Sequence, residues 1–116
     1  MPPMTRFEAG DVIRVMFPHV ETSARRYRPA LVVTHRPIGP EDMLIWVLMI
    51  TNARRKRWPG DIRVEDHETA GLPIPSVVRT AKLATLETAG ADKIGRVAEG
   101  TLQLVQLELR KHLALG

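Results

Sequence analysis

Nine prolines and eight glycines, most of them in the first two thirds of the chain, cut it into short apolar runs. Proline blocks helix interiors and glycine favours turns, so a chain divided this way forms short strands joined by loops, with helices scarce. Gly10-Asp11 opens Val12-Ile13-Arg14-Val15-Met16-Phe17 and Pro18 closes it, which predicts a first strand with roughly alternating faces. From Pro29, the run Ala30-Leu31-Val32-Val33-Thr34 shows no alternation. Neither does Leu44-Ile45-Trp46-Val47-Leu48-Met49-Ile50-Thr51, between Glu41-Asp42 and Asn52. Both read as strands covered on two faces. Pro59-Gly60 turns into Asp61-Ile62-Arg63-Val64, and the loop Ala70-Gly71-Leu72-Pro73-Ile74-Pro75 precedes Ser76-Val77-Val78-Arg79-Thr80, giving two more strands.

The tail changes period. Leu102, Val105, Leu109 and Leu113 fall on one helical stripe, with Gln103, Gln106, Glu108 and Arg110 largely off it. The pattern predicts an amphipathic helix of about four turns, opened by Gly100 and Thr101 and ending before Gly116. Several closely spaced strands in 116 residues suggest a strongly bent barrel or sandwich in one domain spanning 1–116. The expected architecture is mainly β: a small β-barrel with one C-terminal α-helix packed on it.

Composition narrows the class. The longest apolar run, Met43 to Ile50, covers eight residues, well under the roughly 20 that span a bilayer as a helix. The N-terminus, Met1-Pro2-Pro3-Met4-Thr5-Arg6, lacks the apolar stretch of a secretory signal, so a cytoplasmic protein without membrane contact is expected. The absence of cysteine fits that compartment and removes disulfides, thiol nucleophiles and cysteine-based zinc sites. Seventeen Lys and Arg against thirteen Asp and Glu leave a net charge of +4, which favours approach to a phosphate backbone but equally serves solubility.

The order of four segments resembles the MazF/PemK family of toxin-antitoxin systems, from about Phe7 to the last residue. They are Gly10-Asp11-Val12-Ile13 with Phe17-Pro18; Arg28-Pro29-Ala30-Leu31-Val32-Val33; Ile50-Thr51; and Ala70-Gly71-Leu72 leading to Pro75-Ser76-Val77-Val78-Arg79. The resemblance implies a small SH3-like barrel of the CcdB/PemK kind and a homodimer inhibited by a cognate antitoxin. It also implies a toxin that binds DNA together with that antitoxin. The implied activity is a metal-independent endoribonuclease that needs no cofactor and cuts single-stranded mRNA. The ribose 2′-hydroxyl would attack the adjacent phosphate, leaving a 2′,3′-cyclic phosphate and a 5′-hydroxyl.

On this resemblance Arg28 matches the catalytic arginine. A guanidinium grips a phosphate through two parallel hydrogen bonds and stabilises charge that develops in the transition state, whereas its permanent protonation makes it a poor base. Thr51 matches the catalytic threonine, a hydroxyl able to donate to a phosphate oxygen. It is equally an ordinary strand residue at a solvent boundary. Arg79 aligns with a basic residue that helps hold the phosphate or assists the leaving group. Several relatives carry an Asp two positions later, where this chain has Ala81, so no carboxylate is carried over. A structural pairing of Arg79 with an acidic side chain is the alternative.

His19 lies in the loop before Arg28 and could supply the acid or base that Arg28 supplies poorly, or be a solvated loop histidine. With His35, His67 and His112 it forms no metal-ligand spacing. Two clusters, Arg25-Arg26-Tyr27-Arg28 and Arg54-Arg55-Lys56-Arg57-Trp58, join cations to an aromatic in what read as loops. That combination suits single-stranded RNA, and a solvated charge run is the plain alternative. Two rival functions share the fold: a non-enzymatic CcdB-like gyrase poison, and a barrel that binds RNA without cutting it. The chain ends Leu113-Ala114-Leu115-Gly116, without the aromatic and charged helix tip expected of the former.

Overall fold

The computed structural model describes residues 7–17 and 26–116. Among these, six strands form one antiparallel sheet: β1 (Asp11–Phe17), β2 (Arg26–Val32), β3 (Leu44–Asn52), β4 (Asp61–Arg63), β5 (Ser76–Glu87) and β6 (Ala91–Arg96). Their order across the sheet is β4-β5-β3-β2-β1-β6, and helix α1 (Glu99–Leu113) follows. The unalternating runs behave as expected of strands covered twice. Leu31, Leu48, Ile50 and Val78 join one apolar cluster with Leu102 and Val105 of α1, while Ala30, Val32, Ile45, Val47 and Met49 join a second cluster with Phe7, Ile13 and Val15.

Several details depart from the sequence-based expectation. The second strand starts at Arg26, so Tyr27 and Arg28 lie on a strand and not in a loop, and Pro29 sits inside it. A proline is tolerated there because the β2–β3 ladder begins only at Ala30 opposite Met49, where no donor is needed from residue 29. The fifth strand runs on to Glu87 through a register shift between Leu48 and Met49, which pair with Leu83 and Arg79. The remaining strand, β6, carries no apolar signal of its own. Its polar segment is held on β1 by Asp11, a fully buried carboxylate 3.0 Å from the Arg96 guanidinium and 3.1 Å from the Lys93 ammonium.

The barrel is also not closed by hydrogen bonds: among the described residues no ladder joins β4 to β6. The connection between β4 and β5 fills that opening. A side chain on Gly95 would meet the Ala70 carbonyl oxygen at 2.2 Å, so backbone packs directly on backbone where this connection crosses β6.

Helix α1 packs against β4 and β5 through Leu102 and Val105, with Leu109 half-buried. Leu113, expected on the same stripe, is exposed. The buried stripe ends at Leu109; His112, exposed like Leu113, still brings its Nε2 to 3.0 Å from Thr80 Oγ1, while that hydroxyl donates to Gly60 O at 2.7 Å. The helix closes as a Schellman motif, with Leu115 N–H bonded to Arg110 O and Ala114, at φ 54°, bonded to Lys111 O.

Candidate nucleic-acid interface

Between β2 and β3 the ladder stops at Ala30 and Met49, yet both strands continue. Residues 26–29 pair outward with β1, and residues 50–52 pair outward with β5. A cleft of about 320 Å³ opens where they part, lined by Tyr27, Arg28, Pro29, Ile50, Thr51, Asn52 and Arg55, with Leu72, Pro73, Ile74 and Ser76 opposite. The register that sets Ala30 against Met49, continued two residues, sets Arg28 against Thr51 across the gap. The two residues singled out for chemistry therefore share one cleft, with a rigid strand behind each. Arg28 is half-buried and pairs through its backbone with Val15. Thr51 pairs with Val77.

Tyr27 stands at the cleft exposed, with the Arg14 guanidinium 4.7 Å from its ring centre. Arg26 lies on β2, and His19 and Arg25 fall outside the described residues.

The segment after β3 is pinned at several points. Asn52 accepts the Arg54 N–H on its side chain and the Arg55 N–H on its carbonyl, which makes a tight turn that puts Arg55 on the cleft wall. Trp58-Pro59-Gly60-Asp61 is a second turn, closed by Asp61 N–H to Trp58 O, with Gly60 at φ 88°. Proline second and glycine third at positive φ is the type II combination. Arg54, Lys56 and Arg57 are exposed on this segment.

Arg79 is not among the residues lining the cleft. It is buried at 8% exposure and committed elsewhere. Its Nε and Nη2 donate to the two carboxylate oxygens of Asp61 at 3.3 and 3.1 Å, and Nη2 also donates to Lys56 O at 2.8 Å. The Trp58 ring lies over the guanidinium, 4.1 Å to its centre. Asp61 additionally accepts the Trp58 N–H. Arg79 thus ties the basic segment 54–58 to the sheet, and one face of Trp58 is taken by this cation rather than offered to a base. The sequence alone suggests an acidic partner for Arg79 without identifying Asp61, because the pair is made by β4–β5 register, Asp61 opposite Arg79.

A second, smaller cavity of about 170 Å³ lies beyond, lined by Ala53, Arg55, Arg57, Asp61, Arg63 and Val77. Arg63 carries no signal in the sequence because it stands alone in a strand, outside any run of charge. Among the described residues no three His, Cys, Asp or Glu side chains lie close enough to hold a metal ion, and no helix is long and apolar enough to cross a membrane.

A family model described as "PemK-like, MazF-like toxin of type II toxin-antitoxin system" matches residues 8–113. No curated protein matches by sequence. Among solved structures, the chain is similar to a MazE-MazF crystal structure (Form-II) from Deinococcus radiodurans, with a TM-score of 0.75 at 21% identity over 97% of this chain and 100% of that one. An endoribonuclease in complex with its cognate antitoxin from Mycobacterial species gives 0.70 at 19% identity, covering 94% and 96%. The Mycobacterium tuberculosis toxin MazF-mt6 gives 0.66 at 20% identity, covering 90% and 97%.

Proposed function

The chain belongs to the PemK-like, MazF-like toxins of type II toxin-antitoxin systems, and from that premise we propose that it is an endoribonuclease acting on single-stranded RNA. The observation that carries the reading is the cleft where β2 and β3 part, which Arg28 and Thr51 line together. Arg28 grips the non-bridging oxygens of the scissile phosphate and, being permanently charged, stabilises the pentavalent transition state without exchanging a proton. Thr51 donates its hydroxyl to the same phosphate. The 2′-hydroxyl gives up its proton and bonds to phosphorus, and the bond to O5′ breaks. The products are a 2′,3′-cyclic phosphate and a 5′-hydroxyl that takes up a proton. His19 is the sequence's candidate for that proton traffic. Tyr27, Arg25, Arg26 and the 54–57 cations hold the flanking strand, and no metal takes part in a step.

Similar structures are described as a complex of MazE with MazF and as an endoribonuclease with its cognate antitoxin. By the same reasoning, this chain is inhibited by a cognate antitoxin that competes for the cleft. It works as a homodimer in a single 1–116 domain in the cytoplasm. Exposed apolar residues support self-association: Trp46 (44%) and Leu83 (52%) are diagonal neighbours across the β3–β5 ladder.

The test is cleavage of an unstructured RNA by purified protein in excess EDTA, beside Arg28→Ala and Thr51→Ala. Wild type cuts, and each variant loses about 10²–10³-fold in rate, the size of removing one donor to transition-state charge. Uncut RNA from a folded wild type would turn the reading towards an RNA-binding module or a gyrase poison. Equal cutting by all three would misplace the site.

A further inference from the structure

The basic cavity beyond the cleft is a separate feature of the same face. Across the sheet, Thr51 pairs with Val77 and Val77 pairs with Arg63, so with Arg28 across the gap the row reads Arg28, Thr51, Val77, Arg63. Paired residues project to the same side of a sheet. At the ordinary interstrand spacing, three steps along the sheet separate the Arg28 and Arg63 backbones by roughly 14 Å. Arg55 walls both cavities. The acidic residue in the second cavity does not oppose an anion there: Asp61 has 1% side-chain exposure and is neutralised by Arg79 at its back. The other charged residues that line the cavity are three arginines, Arg55, Arg57 and Arg63.

We propose that the cavity of Arg55, Arg57 and Arg63 is a second phosphate subsite, which takes a backbone phosphate of the same RNA strand beyond the one held by Arg28 and Thr51. This rests on the nuclease reading for the identity of the strand. The backbone of the segment that carries Arg55 and Arg57 is fixed by the Asn52 turn and by Arg79, Asp61 and Trp58, so binding need order only the side chains of these two cations and not the loop that carries them. Arg55, shared by both cavities, sets the path between them. The subsite reads no base. It makes affinity rise with strand length and fixes which bond lies at Arg28.

The experiment measures binding to fully 2′-O-methylated RNA, which has no hydroxyl to attack. One oligomer is long enough to reach from Arg28 to Arg63, and the other is a dinucleotide. Arg63→Gln and Arg57→Gln each weaken the long oligomer roughly tenfold, the size of one charge-assisted hydrogen bond. Each also makes log Kd less salt-dependent, by about 0.7 for every phosphate the variant no longer neutralises. Arg63→Lys recovers part of both. For Arg63→Gln dinucleotide affinity stays within twofold, and thermal unfolding confirms that each variant folds. With cleavable RNA, Arg63→Gln raises KM on long substrate while kcat at saturation holds.

Unchanged long-oligomer affinity and salt slope in both variants would overturn the subsite even if wild type cuts RNA. Length-dependent, Arg63-dependent binding by a protein that never cuts would sustain the subsite and sink the nuclease. Loss of affinity confined to a polyglutamate peptide, with RNA untouched, would overturn the proposal and assign the cavity to an acidic protein segment.

Discussion

Arg79 shows how much of a fold one guanidinium can tie together. Its charge is spent on Asp61, its remaining donor on Lys56 O, and its flat face on Trp58. Arg79→Met leaves a buried carboxylate unpaired and is expected to lower the unfolding free energy by about 3–5 kcal/mol, measured by urea denaturation. A variant that stays as stable as wild type yet stops cutting RNA would return Arg79 to the catalytic set. Asp66 offers a pH test. Its carboxylate accepts the Thr69 hydroxyl, then the Thr69 N–H, and these bonds hold its pKa below the usual aspartate value. A depressed carboxylate contributes stability above its unfolded pKa and loses it as pH falls through the folded one. The protection factor of the Thr69 amide, its slowing relative to a free peptide, should therefore fall as pH drops below the ordinary aspartate range, and Asp66→Ala should abolish that loss of protection. Arg28 and Thr51 are legible in the sequence because family order marks them. Arg63 is not, because only strand pairing shows what it faces.

At the level of elements, the strands with strong apolar runs are legible, since a continuous run needs cover on both faces whatever its neighbours. β6 is not, because Ala91-Asp92-Lys93-Ile94-Gly95-Arg96 becomes a strand through Asp11 and the β1 ladder rather than through its own hydrophobicity. The helix is legible in its period, but its buried stripe stops at Leu109, and in the last turn the exposed His112 meets Thr80, a polar contact that no periodicity could reveal. Gly95 is where the elements meet most closely. Gly95→Ala forces a methyl into the Ala70 carbonyl and should cost at least about 2 kcal/mol, read as a lowered thermal midpoint. An unchanged midpoint would mean that the 65–75 connection can lift off β6 freely.

The whole molecule is a bent sheet with its proposed RNA cleft set where two central strands separate, not at an outer edge. Proline suits that position: residue 29 has no N–H to leave unsatisfied where the ladder ends. The sheet and the helix can be anticipated from the sequence but this parting cannot, since a proline at a strand start and one inside a strand look alike in a string of letters. The proposed homodimer belongs to this scale. Light scattering should give twice the 13.0 kDa chain mass for wild type, and Leu83→Glu should shift it towards the monomer. A wild-type protein that stays monomeric at high concentration would refute it. The stacking of Trp58 on Arg79 has a practical corollary. The chain has only two tryptophans, so in a Trp46→Phe background the remaining indole becomes an intrinsic optical probe. It is fixed beside the cations that flank the cleft, and its emission follows their electrostatic surroundings without any attached dye.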